Sequence, residues 1–198
     1  GFPASSGNQH DNGANRTIGS HGVPTLLTYD RWEIDNSTIT IRGDVGIDVQ
    51  DDFDIDDTTI TLDPAATLRL YCGGIVFIRD SQINHDSSRT GDLTLINYGT
   101  GHGHDFRLYG NTTVAGAFRS ADDFEVQHGV TIYGTIFAED DIKAINGGSG
   151  GATIHADVTL GLAGDTFADG TGLRDASTHE GVTQASGHLQ KAASFDGD

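Results

Sequence analysis

The segment "FRLYGNTTVAGAFRSADD", from Phe106 to Asp123, is followed without a linker by "FEVQHGVTIYGTIFAEDD", from Phe124 to Asp141. With a shift of 18 residues, Phe106 falls on Phe124, Leu108 on Val126, Val114 on Ile132 and Gly116 on Gly134. Phe118 falls on Ile136, and Asp122-Asp123 on Asp140-Asp141. A unit this short cannot bury its own apolar side, so it must stack on its neighbours. The repeat therefore selects a solenoid before any other property is considered.

The same phases recur along the chain. "WEIDNSTITI" (32–41) aligns with "FDIDDTTITL" (53–62) without a gap, and "IVFIRDSQIN" (75–84) with a one-residue slip. "IKAINGGSGGATIHA" (142–156) is a further copy with a longer Gly-rich turn. Each unit reads as three short alternating pieces, seen in "FEV", "VTIY" and "TIFA". Period-two alternation sends Phe124, Val126, Val130, Ile132 and Ile136 to one side. The inward column Ile39, Ile60, Ile83, Val114, Ile132, Ile154 follows. Asp35-Asn36, Asp56-Asp57, Gly110-Asn111, His128-Gly129 and Asn146-Gly147 recur between pieces, as sharp corners require. Strict alternation and β-branching exclude an amphipathic helix. A sandwich of hairpins would alternate too, but it needs no fixed period.

The expected fold is therefore all-β: a parallel, right-handed β-solenoid of about six coils over residues 29–162, with irregular terminal caps. Residues 1–28 read as a polar N-terminal tail or cap. Residues 163–198 read as a C-terminal cap, a linker or the start of another module. Cys72, the one cysteine, reads as a small buried core residue. The chain has no methionine, as expected of a processed or excised segment.

"RLYGNTTVAGAFRSADDFEVQHGVTIYGTIFAEDD" and "TITLDPAATLRLYCGGIVFIRDSQIN" resemble the β-helical region of bacterial pilus-associated surface proteins. These are the large accessory proteins of type IV and mannose-sensitive haemagglutinin-type pili. Asn111 to Gly116 and Val130 to Ala138 carry the resembling lines, within a region of about residues 30–162. In such proteins a laminin-G-like lectin module can follow, and "LQKAASFDGD" looks like the opening of one. The resemblance implies an extracellular or cell-surface structural or adhesive role and no catalytic residues.

The net charge of −18 repels nucleic acid and anionic membranes, and no apolar run is long enough for direct membrane insertion. It suits divalent cations or a salty medium. Asp105, Asp122-Asp123 and Asp140-Asp141, with Asp51-Asp52, are expected near one corner of successive coils, where several oxygens suit calcium. "GHGHD" brings His102 and His104 into the same lengthened coil as His85, a candidate transition-metal set. The Thr column 38, 59, 113, 131, 153 is read as β-branched strand filling, because its neighbouring column is too mixed for a regular array. No G-x-S-x-G, Walker loop or zinc-protease signature occurs.

The reading is a non-catalytic structural module of a pilus, filament or surface adhesin. Its expected partners are itself, other surface or pilus subunits, and glycans. A polysaccharide-degrading β-helix and a carbohydrate- or cation-dependent adhesive module are the alternatives.

Overall fold

The structure is a computed structural model that describes residues 1–100, 103, 105–127, 129–145, 152–160, 182–184 and 193–195. It is a parallel β-solenoid of about six turns. One sheet has seven strands: Gln9–Asn12, Trp32–Asp35, Phe53–Asp56, Val76–Arg79, Phe106–Tyr109, Phe124–Gln127 and Ile142–Ile145. We call it sheet one. Every pairing in it is parallel, and Phe106 faces Phe124 as the 18-residue shift requires. The inward column Ile39–Ile60–Ile83–Val114–Ile132–Ile154 is continuous in register. Cys72 is wholly buried, and burial pushes its thiol up to about 12. Among the described residues no helix is long and apolar enough to cross a membrane.

The three-piece coil holds for the early turns only. There the second and third pieces are separate strands, such as Thr38–Ile41 with Asp44–Val49 and Thr59–Leu62 with Thr67–Cys72. From Thr113 onward they fuse into single strands of eight residues: Thr113–Ser120, Thr131–Ala138 and Thr153–Leu160. Gly116 and Gly134 stand at the former corner and face each other in register. Gly134 has φ +120°, a conformation that favours glycine, within one continuous strand.

The other corner is held by a buried hydroxyl ladder. Ser37 Oγ accepts from Ala14 N at 2.9 Å, and Thr58 Oγ1 from Ser37 N at 3.2 Å. Ser81 Oγ accepts from Thr58 N at 3.0 Å, and Thr112 Oγ1 from Ser81 N at 3.3 Å. Each hydroxyl also donates to a carbonyl of its own coil. Asn36, Asp57 and Asp80 precede these residues in the left-handed region, which Asn and Asp tolerate. Ser81→Ala would strand the buried Thr58 N–H. The expected cost in urea unfolding is about 1–3 kcal/mol, against under about 1 kcal/mol for Ser81→Thr, which keeps the acceptor.

The N-terminal segment, expected as a polar tail or cap, supplies strands to the stack. Gln9–Asn12, Asn15–Ile18 and Thr25–Tyr29 each pair in parallel with the next coil. Their inward positions hold Asp11 and Arg16 in line with Ile34 and Ile39. Asp11 is only 6% exposed; it accepts from Trp32 Nε1 at 2.9 Å and from Arg16 Nη1 at 3.1 Å. Arg16 also donates to the Tyr29 hydroxyl at 3.3 Å. A paired charge thus closes the apolar core, with Asp11 buried and Arg16 partly exposed.

The insertion at 85–92 forms a short 3-10 turn, Ser87–Arg89. Arg89 donates to the carbonyls of Leu62 at 2.7 Å and Asp63 at 2.9 Å and pairs with Asp92 at 2.7 Å. This loop is thereby fastened to the preceding coil. Of 163–198, the described residues form two antiparallel strands, Val182–Gln184 and Ala193–Phe195; the rest of that expected cap, linker or module lies outside the described residues.

Candidate functional site

The acidic corner lies just before sheet one. Backbone bonds fix its rows: Val76 N donates to Asp105 O, Phe106 N to Asp123 O and Phe124 N to Asp141 O. Stacking therefore places Asp105, Asp123 and Asp141 in one column, as the period requires. Asp52 belongs to the same column, because its carbonyl accepts from Trp32 N, but Ile75 stands between it and Asp105. The run of carboxylates suited to a shared ion starts at Asp105.

Two clusters result. Asp105, Asp122 and Asp123 each bring one carboxylate oxygen within 4.8 Å of the others, and so do Asp123, Asp140 and Asp141. Asp123 belongs to both. The corner also supplies its own cations. Arg107 pairs with Asp105, and with Glu125 at 3.2 Å. Lys143 pairs with Asp123, and with Asp141 at 3.8 Å. The hydrogen bond from Lys143 to Asp123 raises the ammonium pKa. Burial alone would lower the pKa of Arg107, but Asp105, Glu125 and Tyr109 together outweigh it and the guanidinium is raised.

Arg107, Glu125 and Lys143 do occupy one outward row. The ladder is uneven, since Lys143 reaches back to Asp123 while Arg107 holds Glu125. Six carboxylates, Glu125 included, share two cations, which leaves the corner with a formal charge of −4 (2 − 6). Neighbouring carboxylates at roughly 4.8 Å repel by about 1 kcal/mol in water and more near a protein surface. A hard divalent cation would relieve that repulsion using oxygens already converged.

Of the histidine set, only His85 is among the described residues. His85 is exposed beside the 3-10 turn, while His102 and His104 lie outside the described residues. The Thr positions 38, 59, 113, 131 and 153 share one row, but Gln82 interrupts it.

A rod of parallel coils with an acidic edge defines a class by shape rather than by chemistry. The chain belongs to the family described as a domain of unknown function (DUF7305), whose profile matches residues 5–162. That span begins inside the segment expected as a tail and ends where the solenoid was expected to end. No curated protein and no solved structure matches the chain.

Proposed function

We propose that this chain is an extracellular structural module of a pilus, filament or surface adhesin, which spaces or displays rather than catalyses. The observation that carries the reading is the unbroken register of sheet one. Seven strands stack in parallel over about 29 Å, six spacings of roughly 4.8 Å. The buried hydroxyl ladder, the Asp11–Arg16 plug and the Arg89 clasp all serve that stack. Electron micrographs of the native material test it. The reading expects filaments or surface structures that contain the chain; isolated particles that cleave acidic or neutral polysaccharides would support the enzymatic alternative instead.

Calcium is the cofactor this reading assigns to the acidic corner. Only the folded coils assemble Asp105, Asp122, Asp123, Asp140 and Asp141, so binding would add to stability. Millimolar calcium is expected to raise Tm by several degrees more than sodium chloride of equal ionic strength. Asp123→Asn with Asp141→Asn should remove that difference, because Asp123 serves both clusters. Identical calcium and sodium curves for the unmodified chain would reduce the corner to a solvated edge.

A further inference from the structure

We propose that a groove on the outward face of sheet one binds an amine-bearing saccharide, with Asp54 as its charged acceptor and Phe77 as its apolar wall. The groove runs along the stacking axis between two outward rows. One row is His10–Glu33–Asp54–Phe77, in register across four strands. The other is Asn12–Asp35–Asp56–Arg79. Side chains of both rows line one open depression. This site is separate from the acidic corner, and the inference goes beyond the structural reading and does not depend on it.

The partners within the groove are unevenly distributed. Glu33 pairs with His10 at 2.7 Å and with Arg31 at 2.8 Å. Asp56 is held by Arg79 through two bonds, one of 2.9 Å from Nε. Asp54 stacks next to Glu33 in one row, two residues before Asp56 of the other, and makes no hydrogen bond or ion pair among the described residues. Burial raises its carboxyl above the usual range, and Glu33 and Asp56 add to this against the opposing Arg31 and Arg79. A half-buried carboxylate without a donor destabilises the fold that carries it. An incoming ammonium would supply both the missing donor and the missing charge.

The rest of the groove narrows the ligand class. Its carboxylates do not form one of the converged groups found at the corner, so a single metal ion is a poor fit. Polar groups instead recur at each strand spacing, roughly 4.8 Å, which suits a ligand with donors spaced along a chain of rings. Phe77 is half-buried, with Tyr109 of the next strand at 5.1 Å and the Arg79 guanidinium 5.9 Å over its ring, and lines the groove where a sugar ring would sit.

The test is calorimetric titration of the full chain with glucosamine oligosaccharides and with N-acetylated oligosaccharides of the same length. The amine form is expected to bind at least tenfold more tightly. Asp54→Asn and Phe77→Ala should each weaken it tenfold or more, while Arg119→Ala, on another face, should not. Asp54→Asn also carries a signature of its own. A carboxyl with a raised folded pKa favours the fold only at low pH, and that contribution is lost as pH rises through the folded pKa. At neutral pH Asp54→Asn should therefore raise Tm while binding falls, so lost binding cannot be blamed on misfolding. Equal affinity for both oligosaccharides, no binding of either, or unchanged binding by Asp54→Asn would overturn the proposal.

Discussion

Phe124→Asp is expected to destabilise the solenoid by about 3–5 kcal/mol or more, while Glu125→Ala, one residue along, should cost about 1 kcal/mol. Phe124 is 0% exposed and stacks on Phe106 with ring centroids 4.6 Å apart; Phe118 approaches at 6.5 Å. Removing the ring deletes an aromatic stack and opens a cavity. The new carboxylate would then sit in an apolar column with no cation on that side. Glu125 points outward, where it accepts from Tyr109 at 3.1 Å and pairs with Arg107. Arg107 keeps Asp105 when Glu125 is removed. Chemical unfolding of both variants reads the difference directly. Equal losses would contradict the inward–outward assignment of the whole row.

Gly134→Ala is the second large effect, expected at about 2–6 kcal/mol. Two costs combine. A non-glycine residue at φ +120° is strained by about 1–3 kcal/mol. A Cβ there would also overlap the Gly116 carbonyl oxygen, which is backbone and cannot rotate away. Overpacking of this kind costs about 1–3 kcal/mol more. Gly91→Ala is the control, because a Cβ at Gly91 meets nothing within 4 Å. Its Tm should stay within a degree or two of the parent. A Gly134→Ala protein as stable as Gly91→Ala would contradict the positive φ and the close approach of Gly116 at this position.

The parts of this fold that were legible in sequence are those set by apolar alternation. Ile39, Ile60, Ile83, Val114, Ile132 and Ile154 announce a column because β-branched residues recur at one phase. Asn36 and Asp57 announce corners because few residues accept a left-handed backbone. The first coil was hidden for the opposite reason. A core must end somewhere, and here it ends on Asp11 and Arg16, so two of the inward positions read as polar beside Ile18. Ser37, Thr58, Ser81 and Thr112 look like solvated turn residues, yet they are buried and bond along the stack. A hydroxyl at the same phase in four successive coils was the available signal. The fusion of two strands at Gly116 and Gly134 was visible only as a shared glycine.

The candidate site was legible in outline. The period alone aligns Asp105, Asp123 and Asp141, and the oxygens do converge. What sequence spacing does not give is side-chain reach. Lys143 belongs to the row of Glu125, but its long stem carries the ammonium back to Asp123. The groove around Asp54 was missed because successive members of each row lie 21 to 23 residues apart and acquire meaning only when stacked.

The most direct test of one continuous stack is a distance between spin labels at Asn15 and Thr131. These positions are linked through Thr38, Thr59, Gln82 and Thr113, five strand spacings in all. The native thiol of Cys72 is buried and resists labelling, so it can remain. Double electron–electron resonance should give one narrow distribution near about 24 Å, widened by the label tethers. A broad distribution, or a mean beyond roughly twice that spacing, would contradict both the first coil and the register on which the functional reading stands.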